Sequence, residues 1–282
     1  MNRFQLLFGV LLLISINTNA SIIKNVTFAY WNKPDVEIFY LLPQSINKDT
    51  EIVFVIHGNS RNAIDYLSAW IPYVDNKNVI IAAPHFDKKN FRYFFLLETA
   101  DSFGNINQNS NNYLNNSLSL FFNYFKSKYE FDSNAYKIFG HSAGAQFTHR
   151  YMLLSDDKRI STSVIANAGW YTFISNDNFP YGINNSPISI SNNQLTNFMS
   201  KKSHLLIGSN DVGSQSLNSS KGAQLQGLTR VERANNYFNN LIKKAEEQNI
   251  PLRWTYKVVQ DVDHDYLKMT EVASDILLRD IN

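Results

Sequence analysis

The chain has 282 residues, of which 44% are hydrophobic and 14% aromatic, enough to build a sizeable core and too many for a wholly disordered protein. Its formal net charge is +2, so electrostatics give no reason to expect nucleic acid or a strongly anionic partner. It contains no cysteine, which excludes disulfides, zinc–thiolate sites and a cysteine nucleophile.

The N-terminal stretch MNRFQLLFGVLLLISINTNA has the pattern of a secretory signal peptide. Arg3 precedes an apolar run from Leu6 to about Ile16, which is too short for a comfortable transmembrane helix. We therefore predict a signal peptide over residues 1–20 and a mature chain over 21–282 that is secreted or periplasmic. We expect no stable membrane insertion after cleavage, although an uncleaved N-terminal anchor is the alternative.

Strand and helix patterns alternate through the rest of the chain. The run EIVFVIHG is nearly all apolar, as a strand buried on both faces should be. The predicted strands are 36–43, 51–58, 78–84, 135–141, 161–169, 203–209 and 252–260. The predicted helices are 62–70, 118–129, one that begins near Ser142, 231–248 and 266–278. This alternation predicts a single α/β domain with a mostly parallel sheet and helices on both faces.

The segment near 170–200 is longer than an ordinary crossover and mixes aromatic residues with Asn, Ser and Pro. We interpret it as a lid-like excursion over the sheet edge. Trp170 and Tyr171 follow a strand's C-terminal end, so they are candidate substrate-binding residues that wall a pocket. Packing in the core is the alternative for both.

Ser142 is the candidate nucleophile, in the sequence FGHSAG. The G-x-S-x-G string is weak by itself, but here an apolar strand ends directly before it and a helical run follows it. A sharp strand-to-helix turn needs glycine on either side of the serine, and the helix N-terminus supplies N–H groups that suit an oxyanion. The alternative is a helix N-cap serine.

A serine hydroxyl needs a base, and six histidines are available. We predict His264, because it follows the last strand and catalytic groups gather at the C-terminal edge of such sheets. His85, after Pro84 at a strand end, is the reserve candidate. For the acid that orients the imidazole we predict Asp211, which directly follows the strand SHLLIGS; a turn or cap role is the alternative.

The oxyanion hole needs two N–H donors. One is the amide of Ala143, directly after the nucleophile, and the other is expected from Asn59 in the loop after the HG strand, with Ser60 as a weaker alternative. Arg230, near a helix start, has two interpretations. It could clamp a carboxylate-bearing substrate, or it could form a structural ion pair with Glu232 or an aspartate, which is the usual role of such charges.

The chain resembles the α/β-hydrolase superfamily, and within it secreted esterases of the polyhydroxybutyrate depolymerase-like group. The residues that carry the resemblance are VIHGNSRNAIDYLSAW, IAAPHFD, FGHSAG, ANAGWYT, QGLTRVERANNYF and RWTYKVVQDVDHD. The resemblance implies an α/β-hydrolase fold, the triad Ser142, Asp211 and His264, and a carboxylic-ester substrate.

The sequence therefore predicts a serine hydrolase that acts on a small-molecule or oligomeric ester. No metal or organic cofactor and no nucleic-acid partner is expected, and the oligomeric state is left open. Two alternatives remain: a peptidase or amidase with the same triad, and a secreted binding module that keeps the hydrolase scaffold without turnover.

Overall fold

A computed structural model describes residues 22–281 as a sheet flanked by helices. The strands are β1 (Lys24–Phe28), β2 (Val36–Leu41), β3 (Glu51–Ile56), β4 (Val79–His85), β5 (Tyr136–His141), β6 (Ile160–Ala166), β7 (Lys202–Gly208) and β8 (Trp254–Val259). The helices are α1 (Ala63–Ser68), α2 (Ser117–Tyr129), α3 (Ala143–Leu154), α4 (Asn192–Ser200), α5 (Lys221–Gln224), α6 (Arg230–Gln248) and α7 (Tyr266–Leu277).

The strands lie in the order β1-β2-β4-β3-β5-β6-β7-β8. Strand β2 pairs antiparallel with both β1 and β4, whereas the pairs from β4 to β8 are parallel. The predicted α/β fold with a mostly parallel sheet is therefore confirmed. Because parallel strands end at one edge, the loops that follow β3, β5, β6, β7 and β8 meet there.

Strand β3 explains why helices cover both faces of the sheet. Ile52, Phe54 and Ile56 belong to one hydrophobic core, and the intervening Val53 and Val55 belong to the other. The first core contains residues of α2, α3, α4 and α6, and the second contains residues of α1 and α7. Each face of the strand needs its own apolar partner, which accounts for the uninterrupted hydrophobic run.

Strand β1 and helices α4 and α5 were not predicted from the sequence. Strand β1 is a largely exposed edge strand, so it lacks a hydrophobic run. Helix α4 lies inside the segment near 170–200 that we interpreted as a lid-like excursion. It begins after Ser191, whose side chain accepts the Gln194 N–H while the Gln194 side chain accepts the Ser191 N–H. This reciprocal cap starts the helix there.

The predicted signal peptide at residues 1–20 lies outside the described residues, and the lid role of the segment before α4 stays a prediction. Within residues 22–281, no helix combines the length and the apolar character that crossing a membrane requires.

Candidate active site

Ser142 lies in a strained turn between β5 and α3. Its backbone has φ 58° and ψ −118°, a conformation that residues other than glycine rarely adopt. A Cβ added to Gly140 would overlap the carbonyl oxygen of Gly144, and one added to Gly144 would overlap the carbonyl oxygen of Ile56. The turn therefore requires glycine at both positions, and it fixes the serine at the C-terminal edge of the sheet.

Ser142, His264 and Asp211 form a hydrogen-bonded row. Ser142 Oγ lies 2.9 Å from His264 Nε2, and His264 Nδ1 lies 2.7 Å from Asp211 Oδ2. Since a carboxylate can only accept, Nδ1 carries the hydrogen, and Nε2 is left to accept from the serine hydroxyl. The structure thus brings together three predicted site residues that are far apart in the sequence.

A backbone hydrogen bond joins the loop that carries Asp211 to the loop that carries His264. We name residues 209–215 the acid loop and residues 260–265 the base loop. The Asn210 N–H of the acid loop donates to the Val262 carbonyl of the base loop at 2.8 Å. A Cβ on Gly208 would overlap that same carbonyl, so the base loop packs directly on the end of β7. Backbone contacts therefore fix the spacing between the two loops.

Asn167, just after β6, ties the base loop to the ends of β6 and β7. Its backbone is left-handed, with φ 51°, which Asn tolerates better than most residues. Its Nδ2 donates to the Asp263 carbonyl at 2.9 Å, and its Oδ1 accepts the Gly208 N–H at 3.0 Å. This role was not predicted from the sequence. The available signal was a polar residue that interrupts the apolar run VIANAG.

Arg230, the first residue of α6, is paired with the acid. Its Nη1 lies 3.1 Å from Asp211 Oδ1 and donates to the Gly213 carbonyl, while Nη2 donates to the Gln215 carbonyl at 2.7 Å. Of the two interpretations of Arg230 that the sequence left open, the structure therefore contains the structural ion pair. The partner is Asp211, because the Glu232 carboxylate instead accepts the Leu228 N–H.

Two histidines near the row are buried and neutral. Burial lowers the pKa of His57 to about 3, and its Nε2 accepts the Phe86 N–H. Burial, followed by the charges of His264 and Arg230, lowers the pKa of His141 well below its ordinary value. The ring centroids of His141 and His264 are 4.7 Å apart, so the neutral ring packs against the candidate base.

The reserve candidate, His85, lies at the end of β4. Its ring centroid is 6.0 Å from that of His57, and its ring also contacts Phe39. The position beside the Ser142 hydroxyl is occupied by His264 instead. Within residues 22–281, no group of three or more His, Asp or Glu side chains is placed to hold a metal ion.

A cleft of about 510 Å³ opens in front of Ser142. Its apolar lining residues are Phe95, Phe103, Ala143, Trp170 and Leu217, and its polar ones include Asn59, Gln146, Asn218 and Arg230. Trp170 is thus at the cleft, as predicted, whereas Tyr171 is not among its lining residues. Tyr171 is fully buried and stacks on Tyr237 at 4.3 Å, so the core-packing alternative describes it.

The two predicted oxyanion donors, Ala143 and Asn59, both border this cleft. In the part of the chain that the structure describes, neither backbone N–H donates to another residue. A Cβ on Gly58 would lie 3.6 Å from Ser142 Cβ, so the HG loop passes close to the serine. Both amides are therefore available to a carbonyl oxygen bound in the cleft.

No protein-family model matches the chain, and no curated protein matches it. Solved structures do match. Poly(aspartic acid) hydrolase-1 from Sphingomonas sp. KT-1 is 29% identical, with a TM-score of 0.83 over 90% of this chain and 98% of that one. LpqC, a poly(3-hydroxybutyrate) depolymerase from Bordetella parapertussis, is 24% identical, with a TM-score of 0.82 over 91% of this chain and 89% of that one.

This protein has the α/β-hydrolase fold. A more distant match, an S-formylglutathione hydrolase from Agrobacterium tumefaciens, is 13% identical with a TM-score of 0.59 over 92% of this chain and 94% of that one. The resemblance to depolymerase-like esterases that the sequence suggested is confirmed by these neighbours. Poly(aspartic acid) hydrolase-1, at 29% identity, also supports a hydrolase enzyme, and the row of Ser142, His264 and Asp211 lies at the C-terminal edge of the parallel strands.

Proposed function

We propose that this α/β-hydrolase is a secreted serine hydrolase that cleaves a carboxylic ester through an acyl-enzyme. Ser142 is the nucleophile, His264 the general base and acid, and Asp211 the group that orients the imidazole. One observation carries the proposal: the unbroken row from Ser142 Oγ to His264 Nε2 at 2.9 Å and from His264 Nδ1 to Asp211 Oδ2 at 2.7 Å. Acyl transfer requires such a row.

In the first half of the proposed reaction, Ser142 Oγ attacks the ester carbonyl carbon while its proton moves to His264 Nε2. The carbonyl oxygen becomes an oxyanion, to which the Ala143 and Asn59 N–H groups donate. When this intermediate collapses, the bond to the alcohol oxygen breaks. The leaving alcohol takes the proton from Nε2, and the acyl group stays on Oγ.

In the second half, water attacks the acyl carbon and gives a proton to His264 Nε2. The second tetrahedral intermediate expels Ser142 Oγ, which recovers the proton, and the carboxylic acid leaves. Throughout, the Asp211 carboxylate accepts from Nδ1–H, which holds the correct tautomer and offsets the positive charge that forms on the ring.

The test is Ser142→Ala assayed with a short-chain p-nitrophenyl ester. We expect a fall in kcat on the order of 10⁴-fold or more. The melting temperature should change little, because the substitution removes one hydroxyl oxygen and its bond to His264. Ser127→Ala, at an exposed serine of α2, is the matched control and should keep wild-type activity. A fluorophosphonate probe should label Ser142 alone; activity that survives Ser142→Ala overturns the proposal.

An amide substrate is the second candidate function, because the same row can expel an amine. It is favoured by the match to poly(aspartic acid) hydrolase-1, whose named polymer is joined by amide bonds. A panel that pairs each p-nitrophenyl ester with its anilide decides between them. A kcat/KM for the anilides equal to or above that for the esters would replace the ester proposal.

Export is part of the proposal and rests on the pattern of residues 1–20 alone. N-terminal sequencing of the protein recovered from medium or periplasm should begin at Ser21. A protein that starts at Met1 and stays in the membrane fraction would favour the uncleaved anchor.

A further inference from the structure

The carboxylate of Asp211 is shared between two partners. Its Oδ2 accepts from His264 Nδ1 at 2.7 Å, and its Oδ1 accepts from Arg230 Nη1 at 3.1 Å. The row itself needs only the first of these bonds. The side chains of Arg230 and Asp211 are 3% and 2% exposed, so the pair is withdrawn from water, where a charge acts strongly on its neighbours.

We propose that Arg230 is a positioning residue for the reaction: it fixes the orientation of Asp211 and offsets part of its negative charge, so that His264 can remain neutral, and able to accept a proton, at a lower pH. This inference rests on the proposed function, because it acts through the same triad.

Arg230 can position Asp211 because its guanidinium group donates both to the carboxylate and to the backbone of the acid loop. The same side chain that holds Oδ1 donates to the Gly213 and Gln215 carbonyls of the acid loop. One of these three bonds holds the carboxylate and two hold the backbone of its loop, and the rigid fork of Arg is suited to joining them. The aspartate and its loop are thereby fixed relative to α6.

The charge half follows from the groups around the imidazole. Asp211 faces Nδ1, and the neutral ring of His141 packs against one side. The remaining titratable neighbours on packed elements and on the base loop are Asp65, Tyr66, Asp261, Asp263, Asp265 and Tyr266. These other groups are neutral or acidic; the nearby cation Lys268 of α7 is exposed, and Arg230 is the buried cation bonded to Asp211. Without it, the full charge of Asp211 would favour the protonated imidazole, which cannot act as a base.

The test is the pH dependence of kcat/KM for a p-nitrophenyl ester in Arg230→Met and Arg230→Lys. We expect kcat of the Met variant to fall about tenfold or more, with KM nearly unchanged. The acidic limb of its pH profile of kcat/KM should lie higher by about half a pH unit or more. The Lys variant keeps the charge but loses the fork, so its limb should stay at the wild-type position while kcat recovers only in part.

Arg233→Met is the matched control. Arg233 lies one turn further along α6, is equally buried, and donates only to the Gly169, Gly227 and Asn218 carbonyls. We expect it to lower the melting temperature and leave the acidic limb in place. Should Arg230→Met fail to fold, Arg230→Gln provides the neutral comparison, because its amide can still donate to a carbonyl.

Three results would overturn the inference. The neutral Arg230 variants could keep the wild-type kcat and the wild-type acidic limb of the pH profile. Alternatively, the acidic limb could move as far in Arg230→Lys, or in Arg233→Met, as it does in Arg230→Met. Ser142→Ala, measured alongside, separates this from the proposed function. If that variant is inactive while the Arg230 variants behave as wild type, only the role of Arg230 is wrong. If it keeps activity, the hydrolase mechanism itself is wrong.

Discussion

The proposed nucleophile and its two proposed partners are held in place by different forces. Ser142 is fixed within five residues, 140–144, because glycines allow two backbone segments to approach where any side chain would overlap. Asp211 and His264 depend mainly on polar contacts to distant residues, chiefly Asn167 and Arg230, in addition to the close packing of the base loop on Gly208. Steric exclusion is all-or-none, whereas polar contacts can be weakened one at a time. The two regions should therefore respond differently to substitution.

The largest effect is expected for Gly144→Ala. The added methyl group would overlap the Ile56 carbonyl oxygen, so β3 and α3 must move apart. We expect the free energy of unfolding, measured in urea, to fall by about 3 kcal/mol or more, with activity lost. Gly213→Ala is the control, since a Cβ there meets nothing within 4 Å, and it should change stability by less than about 0.5 kcal/mol. Similar values for the two variants would contradict the steric account.

A graded effect is expected for Asn167→Ala. The variant removes the bonds to the Asp263 carbonyl and the Gly208 N–H, so the base loop loses its tie to β6. We expect kcat to fall about tenfold through misplacement of His264, with a stability loss of about 1–2 kcal/mol.

Asn240 gives the matched comparison for that variant. Its side chain also makes two hydrogen bonds to backbone groups, the Ile174 N–H and carbonyl, but away from the proposed triad. Asn240→Ala should cost less stability, because Asn240 lies in a helix whereas Asn167 has a left-handed backbone that Ala tolerates poorly, and it should leave kcat within about twofold of wild type. If both variants lower kcat equally, the contacts of Asn167 have no special link to the base.

The smallest effect concerns Glu98, which belongs to neither region. Burial raises the pKa of Glu98 to about 7, against the opposing effects of the Tyr93 N–H and Arg61. The folded protein therefore holds this proton where the unfolded chain has released it, so stability falls as pH rises from about 4.5 to about 7.

Glu98→Gln should remove this dependence. We expect the variant to gain about 1 kcal/mol over wild type between pH 5 and pH 8, a figure reduced for partial exposure of the carboxyl group. Glu246→Gln, at an exposed position of α6, should show no such gain. A pH-independent difference would assign the effect to packing. The measurement also separates the pH dependence of stability from the acidic limb of the activity profile, which we expect the proposed triad of Ser142, Asp211 and His264 to set.

The same contrast explains what the sequence could and could not predict. Ser142 was recognisable because its turn is encoded in adjacent residues, and the buried strands were recognisable from their apolar runs. The places of Asp211 and His264 followed from strand ends and chain order, since parallel strands deliver their loops to one edge. The partnership of Arg230 with Asp211 is a contact between a helix start and a loop 19 residues away, and no local pattern encodes it.

Two further misses have similar causes. Tyr171 follows Trp170 directly, yet the Trp170 side chain borders the cleft and the Tyr171 side chain stacks in the core. Helix α4 depends on a cap at Ser191 inside a polar segment whose composition is typical of loops. Both outcomes are decided by side-chain direction and local capping rather than by hydrophobic content.

The bonding between the acid loop and the base loop has a consequence for protein engineering. The two loops are hydrogen-bonded to each other, and the base loop also contacts Gly208 and Asn167. The position of each loop therefore depends on the other. Grafting one of them into a relative would leave the recipient with mismatched halves. Recombination between homologues should therefore keep residues 167, 208–215, 230 and 260–265 from the same parent.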